Sequence, residues 1–120
     1  MKTLMSFAFA CFFSSSLLAT SISNQELLKA CKNPSIGPQN FCYGFVISAA
    51  NAAQFYRNIA DVDDKYINIC FPKDISNKKI VDLYIAWAEK NPTVGESPAF
   101  VGVSTSFSTK YSCSKKKNTK

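Results

Sequence analysis

The residues that could carry out chemistry are few in this chain. Its 120 residues include five cysteines and eight aspartates and glutamates, but no histidine. Histidine is the commonest general base near neutral pH and a frequent metal ligand, so its absence removes both roles. No G-x-S-x-G element is present to activate a serine, and no glycine-rich loop is present to hold a phosphate. These features predict a protein that is not an enzyme and uses no cofactor.

The cysteines are the remaining reactive side chains. Cys11 lies in a predicted export signal, and the other four are Cys31, Cys42, Cys70 and Cys113. An even set of cysteines in an exported chain is typical of disulfides. No two of them form the closely spaced pair of a structural zinc site. We therefore expect two disulfides, no metal site and no free thiolate.

The carboxylates cluster once, in the sequence DVDD. Asp61, Asp63 and Asp64 have the residue types of a calcium loop, but the glycine turn and the distal glutamate of an EF-hand are missing. A solvated acidic loop is the favoured interpretation. Without a catalytic or metal site, recognition by exposed irregular segments is the remaining function. The two candidate segments are residues 58–68 and 91–97.

The first 23 residues predict a Sec signal peptide rather than part of the fold. Lys2 gives a positive start, residues 4–13 are largely apolar, and small residues precede a cleavage position near Ser21 or Ser23. The apolar run is short and is followed by serines, and no later stretch reaches the roughly 18 apolar residues of a transmembrane helix. We expect an exported protein without stable membrane association after cleavage.

The positive charge is concentrated at the carboxyl terminus. The formal net charge is +6, but residues 24–113 contain nine lysines and arginines against eight aspartates and glutamates. The last seven residues, SKKKNTK, add four lysines and no apolar side chain. This distribution predicts a folded domain over residues 24–113 and a basic, disordered tail over 114–120. It gives no basic patch for nucleic acid.

Helix-start and helix-stop signals divide the mature chain. Ser23 and Glu26 have the spacing of a capping box, which starts a first helix that runs to about Cys31. Pro34 and Pro38 are expected to interrupt the helix, because proline lacks an N–H group and clashes with the preceding turn. A second helix should therefore begin near position 40 and fade after position 57.

Two further helices are expected. Ser76 is the predicted cap of the third, which ends at Asn91-Pro92. The last segment is ambiguous, because residues 101–107 alternate as they would in a strand. Its Ser97-Pro98 start and its apolar stripe at helical spacing favour a helix, since no other segment offers a partner strand.

The second helix carries two adjacent apolar stripes. The first stripe consists of Phe41, Phe45, Ala49, Ala52 and Tyr56. The second consists of Cys42, Val46, Ala50 and Ala53. We expect them to form one wide face toward the core, with the three aromatic residues filling it. Gly44, Ser48 and Ala52 also form a row of small residues. Such a row allows a close neighbour, either within the chain or across a dimer.

These elements predict an all-α fold, a small disulfide-braced bundle of about four helices. Helices joined by short links alternate in direction. The first helix then ends where the second begins, which places Cys31 near Cys42. The third begins where the fourth ends, which places Cys70 near Cys113. Of the three possible pairings, 31–42 with 70–113 is the one that does not cross the bundle.

Three stretches of the mature chain together resemble one known family. FCYGFVISAANA is similar to its Phe-Cys-x-Gly-Tyr-Ile helix start. CFPKDISNKKIVDLYIAWAEKNP is similar to its Cys-x-Pro, polar cap, apolar helix and terminal Asn-Pro, and KYSC to its aromatic residue shortly before the last cysteine. The family is that of the Rap/Tai immunity proteins of type VI secretion. The resemblance covers about residues 27–113.

The resemblance implies a periplasmic immunity protein, commonly a homodimer, that protects its cell from a peptidoglycan amidase. The amidase resembles an NlpC/P60-type cysteine peptidase, and a loop of the immunity protein blocks its groove sterically. The implied loop residues are Asn91, Pro92, Thr93, Val94, Gly95 and Glu96, with secondary contacts from Asp61, Asp63 and Asp64. Val94-Gly95 stand where the family often has a Leu-His-like pair, and the last helix is unusually rich in β-branched residues. These departures bear on which toxin is bound more than on the fold.

Other functions fit the same composition. A small periplasmic stress chaperone, or another helical protein-binding module, would also be exported and disulfide-bonded. Without histidine, a chaperone could titrate only its carboxylates, so its acid switch would lie well below neutral pH. A secreted effector or enzyme would depend on the carboxylates Glu89, Glu96 and those of residues 61–64.

Overall fold

The computed structural model describes residues 21–59 and 68–113. Its helices are α1 (Asn24–Lys32), α2 (Ile36–Ile59), α3 (Asn77–Lys90) and α4 (Ala99–Tyr111), with a 3-10 turn at Pro92–Val94. Over these residues the fold is the all-α bundle that the sequence predicts, and none of its helices is long and apolar enough to cross a membrane. Several predictions fall outside the described residues: positions 1–20 of the signal peptide, the basic tail, and Asp61, Asp63 and Asp64.

Ser23 begins α1 with the predicted capping box. The Ser23 hydroxyl accepts a hydrogen bond from the Glu26 N–H at 3.2 Å, and the Glu26 carboxylate accepts one from the Ser23 N–H at 2.8 Å. The hydrogen bond that the Ser23 N–H donates to the Glu26 carboxylate is the main reason that the pKa of Glu26 lies below its ordinary value, and the nearby Ser23 side chain adds to the effect. Leu27 follows and is fully buried. The cap therefore sets the register in which α1 meets the core.

The second helix begins at Ile36, earlier than the sequence predicts. The prediction was wrong because Pro38 occupies the first turn of the helix, where an N–H group has no acceptor within the helix in any case. Gly37 precedes this proline, and its missing Cβ relieves the clash that disfavours helical backbone before proline. The helix then continues for 24 residues to Ile59.

The ambiguous last segment is a helix, as predicted. Several serine and threonine hydroxyls of this helix donate hydrogen bonds to carbonyl groups of the preceding turn. Bonded in this way, they do not draw the backbone into a non-helical conformation. Thr105 donates to the Val101 carbonyl at 2.7 Å, and Ser106 donates to the Val103 carbonyl at 2.6 Å. Phe107 is fully buried on the inner face of this helix.

The stripe of α2 with Cys42 and Val46 faces the core, whereas only Ala49 of the other stripe is buried. The buried residues of this helix are Cys42, Val46, Ala49, Ala50 and Ala53. Phe41 and Tyr56 are 49% and 51% exposed, and Phe45 is partly buried. The expectation that these aromatic residues fill the core is therefore wrong for Phe41 and Tyr56. The small buried side chains allow α1, α3 and α4 to pack on α2, and larger residues of those helices fill the interior.

Two disulfides brace the bundle, and both pairings are the predicted ones. Cys31–Cys42 joins the end of α1 to the first turns of α2, with a Cα–Cα distance of 5.0 Å. Cys70–Cys113 joins the segment before α3 to the end of α4, with a Cα–Cα distance of 4.9 Å. The Cys70 N–H also donates to the Tyr111 carbonyl at 2.7 Å. The alternating helix directions thus place the cysteines as the topology requires.

Candidate functional site

The loop between α3 and α4 is a compact turn. The Val94 N–H donates to the Asn91 carbonyl at 3.2 Å, and the Gly95 N–H donates to the Pro92 carbonyl at 3.1 Å. The Ser97 N–H continues the series by donating to the Val94 carbonyl at 3.1 Å. Successive turns of this kind give the loop backbone a defined shape of its own.

Asn91 holds the loop to the end of α3. Its side-chain amide donates to the Trp87 carbonyl at 2.8 Å, and its backbone N–H donates to the Ala88 carbonyl at 3.2 Å. These bonds satisfy two carbonyls of the last helical turn that would otherwise lack partners. Asn91 is therefore a residue that positions the loop, rather than one that the loop presents to solvent.

The start of α1 holds the other side of the loop. The first N–H groups of a helix have no acceptor within the helix. Here the Gln25 N–H donates to the Gly95 carbonyl at 2.8 Å, and the Asn24 N–H donates to the Ser97 carbonyl at 2.8 Å. The Glu26 N–H is satisfied by the capping serine. The unpaired donors of α1 are thus used to fix the loop, which lies about 70 residues away in sequence.

A buried polar contact lies beneath this attachment. The Tyr84 hydroxyl of α3 donates to the side-chain oxygen of Asn24 at 2.7 Å, and both residues are almost completely buried. Burial raises the pKa of Tyr84 well above its usual range. On α4, a Cβ atom at Gly102 would stand 2.2 Å from the same Asn24 oxygen. Gly102 is therefore required by close packing, which explains a glycine inside this helix.

The loop presents three of its predicted residues to solvent. Pro92, Thr93 and Glu96 are exposed, whereas Asn91, Val94 and Gly95 are half-buried. A shallow pocket of about 270 Å³ lies between the loop, the end of α3 and the start of α1. This is slightly below the roughly 300–1,000 Å³ of small-molecule sites. The pocket is of a size to take a side chain of a protein partner.

The polar lining of the pocket is acidic and neutral. Glu89 and Glu96 contribute carboxylates, and Gln25 contributes an amide. Glu89 also forms an exposed ion pair with Lys32. The part of the chain that the structure describes contains no group of three or more potential metal ligands. The pocket offers a partner hydrogen-bonding groups and negative charge.

A second surface was missed at the sequence level. An apolar groove of about 520 Å³ runs along the exposed side of α2, next to the start of α4. Its lining residues are Phe41, Gly44, Phe45, Ser48, Ala49, Ala52 and Phe100. The sequence signal was present in the row of small residues on α2, but the aromatic residues beside the row were assigned to the core.

The structure brings together the six loop residues of the predicted site. It does not describe Asp61, Asp63 and Asp64, so their place beside the loop stays a prediction. Sequence reasoning did not find the residues of α1 that support the loop, Asn24 and Gln25. Their signal was the helix start itself, because the N–H groups of a first turn need acceptors from outside the helix.

Comparison with known proteins decides the class of this protein. A sequence model of the Rap1a immunity proteins matches residues 23–113, which include all four helices, both disulfides and the loop. The chain belongs to the Rap1a immunity protein family. No curated protein and no solved structure matches it. The match confirms the resemblance to the Rap/Tai immunity proteins seen in the three sequence stretches.

Membership of the Rap1a family supports immunity as the function, directed against a secreted toxin. The partner of the Rap1a protein is therefore a toxin. Immunity proteins of this family are generally not enzymes. A solvent-exposed loop held in one shape at both ends is compatible with such a role, because binding requires only a preformed surface.

Proposed function

We propose that this Rap1a protein is exported to the periplasm and there binds a peptidoglycan amidase delivered by type VI secretion. Steric blockage of the amidase would protect the producing cell. The signal-peptide pattern of residues 1–23 supports this location. The two disulfides are also suited to the oxidising periplasm, which is where an amidase meets peptidoglycan.

The loop over residues 91–96 is the proposed inhibitory element. It would enter the groove of an NlpC/P60-type cysteine peptidase and exclude the stem peptide of peptidoglycan. The observation that carries this proposal is the fixed loop backbone, bonded to itself, to α3 and to α1. A loop that is already ordered loses little conformational entropy on binding. An inhibitor of this kind needs no catalytic residue and no cofactor.

Roles within the loop follow from exposure. Thr93 and Glu96 would contact the toxin, Pro92 would stiffen the exposed turn, and Val94 and Gly95 would hold its base. The pocket beside the loop would receive a side chain of the toxin. Asp61, Asp63 and Asp64 remain proposed as secondary contacts from either subunit of a homodimer.

A binding experiment tests the loop directly. The mature protein, with intact disulfides, is titrated with exported NlpC/P60-type amidases in a calorimeter, and amidase activity on peptidoglycan is measured in parallel. Thr93→Ala/Glu96→Ala should weaken binding at least about 30-fold, because truncating two contact residues at an interface centre removes much of its affinity. Lys73→Ala/Asp74→Ala is the matched control, because both residues are exposed and lie before the opposite end of α3.

Protection in cells and thermal stability complete the test. Both double variants should melt within about 2 °C of the parent, since the changed side chains are on the surface. Cells that make the loop variant should lose protection against the co-expressed amidase, while cells with the control variant keep it. An unchanged affinity for Thr93→Ala/Glu96→Ala would move the toxin site away from this loop.

A further inference from the structure

One side of α2 exposes an unusual amount of aromatic surface. We call it the outer face of α2, formed by Phe41, Gly44, Phe45, Ser48, Ala52, Phe55 and Tyr56. Phe41, Phe55 and Tyr56 are 49%, 59% and 51% exposed, and Phe100 of α4 borders the same groove at 48% exposed. Apart from the hydroxyls of Ser48 and Tyr56 the outer face is apolar, and none of its residues is charged.

The outer face has a symmetric order about Ser48. Gly44 and Ala52 lie four residues before and after Ser48, and Phe41 and Phe55 lie seven residues before and after it. Offsets of four and seven return to the same side of an α-helix, so the five residues form one row. The row spans about 21 Å at the usual rise of a helix. The row therefore shows the same order of aromatic and small residues when it is read from either end.

A surface of this kind complements a second copy of itself. In a two-fold interface the same patch is used by both partners, and each residue meets its counterpart across the axis. Two antiparallel α2 helices centred at Ser48 would place Gly44 against the partner's Ala52, and Phe41 against the partner's Phe55. The small residues permit close approach of the backbones, and the phenylalanines close the two ends. A Cβ atom at Gly44 would meet nothing within 4 Å in the single chain, so this position is open.

The area available is enough for a specific interface. An aromatic side chain buries about 150–250 Å² when it is fully covered. Four half-exposed aromatic residues therefore offer roughly 400 Å² on each copy. A standard interface buries about 800 Å² per partner and is a little over half apolar. The exposed aromatic surface thus matches the apolar part of a standard dimer interface.

We propose that two copies of this chain associate through the outer face of α2, antiparallel and with the two-fold axis at Ser48. The inference rests on the homodimer of the proposed function and names its surface. Phe100 lies in the first turn of α4, four residues after Glu96, so the interface borders the loop that is proposed to bind the toxin. Association would cover the apolar groove and leave the exposed residues of the loop accessible.

Charge pairing across the axis tests both the surface and its register. The dimer dissociation constant of the mature protein is measured by sedimentation over a wide concentration range. Gly44→Glu/Ala52→Glu should raise it at least about 100-fold, because like charges would meet twice across the axis. Gly44→Glu/Ala52→Lys should return it to within about tenfold of the parent, because each glutamate would meet the partner's lysine. Gln39→Glu is the control for added charge, since this residue of α2 is exposed and lies nine residues before Ser48, which is the opposite side of the helix.

Each result bears on the proposal. A parent protein that stays monomeric at high concentration overturns it, as does equal dissociation of the Glu/Glu and Glu/Lys variants. Dissociation by Gln39→Glu to the same extent would also overturn it. Amidase binding by each variant separates this inference from the proposed function. A monomeric parent that still neutralises the amidase defeats only the dimer surface, whereas a dimeric parent that binds no amidase defeats only the proposed toxin.

Discussion

Gly102 and Gly44 are expected to respond in opposite ways to the same substitution. At Gly102 the Cβ atom of an alanine would stand 2.2 Å from the side-chain oxygen of Asn24 and 2.7 Å from its side-chain carbon. Asn24 is 2% exposed and is fixed by bonds from Tyr84 and to Ser97. It cannot move away without breaking one of these bonds. At Gly44 the same atom would meet nothing within 4 Å.

The magnitudes follow from these contacts. Overpacking a buried site costs about 1–3 kcal/mol. A displaced Asn24 would leave buried polar groups unpaired, which costs about 1–3 kcal/mol more. Alanine recovers about 1 kcal/mol through its greater helix propensity. Gly102→Ala should therefore lower the free energy of unfolding by about 1–5 kcal/mol, with a central value of about 3 kcal/mol. Gly44→Ala should raise it by about 0.5–1 kcal/mol, because only the propensity term acts there.

Urea denaturation of the disulfide-bonded protein, followed by far-ultraviolet circular dichroism, measures both effects. Two protein concentrations tenfold apart separate the stability of the single chain from any effect on association. In an Asn24→Ala background the clash is removed, so Gly102→Ala should then be stabilising. A neutral or stabilising effect of Gly102→Ala in the parent protein would refute the packing described here.

Two further predictions concern the disulfides and alkaline pH. In the chain-entropy account, the Cys70–Cys113 disulfide closes a loop of 43 residues and contributes about 4 kcal/mol, whereas Cys31–Cys42 closes a loop of 11 residues and contributes about 3 kcal/mol. Cys70→Ser/Cys113→Ser should therefore lower the free energy of unfolding more than Cys31→Ser/Cys42→Ser in urea denaturation. The reverse order would contradict this account. Tyr84→Phe should lower the free energy of unfolding by about 1–2 kcal/mol at neutral pH, because it removes a buried hydrogen bond. Burial raises the pKa of this phenol, so the folded protein keeps the proton while the unfolded chain releases it near pH 10. Stability should therefore fall as pH rises above about 10 in the parent and fall less in Tyr84→Phe, and parallel pH profiles would count against the assignment.

Local features of this protein were predictable from its sequence. The capping box at Ser23 and the cap at Ser76 form as expected, because each depends on residues within one helical turn. The disulfide pairings were also predictable, since short links fix the relative direction of consecutive helices. The start of α2 was predicted wrongly because Pro38 is compatible with a first helical turn, and the position of a proline within a helix decides its effect.

The candidate site was predictable in position more than in detail. Residues 91–96 form the turn that the Asn91-Pro92 stop signal predicts. Which residues hold the loop and which are exposed was not predictable. The Asn91 side chain donates to the Trp87 carbonyl, and the Gly95 carbonyl accepts from the Gln25 N–H. The second of these contacts joins segments that are distant in sequence, so no local pattern reports it.

The sequence by itself determined that α1 to α4 form in the described residues, where the two disulfides close, and which family the chain resembles. Helical periodicity also determined that α2 has two adjacent apolar stripes. Only the tertiary structure decided that the stripe with Cys42 and Val46 is the core while Phe41 and Tyr56 stay exposed. Helical periodicity indicates which side of a helix is apolar, but not which part of that side is covered by other helices. The helices that pack around α2 set that outcome, because they cover the side with Cys42, Val46 and Ala49 and leave Phe41 and Tyr56 outside.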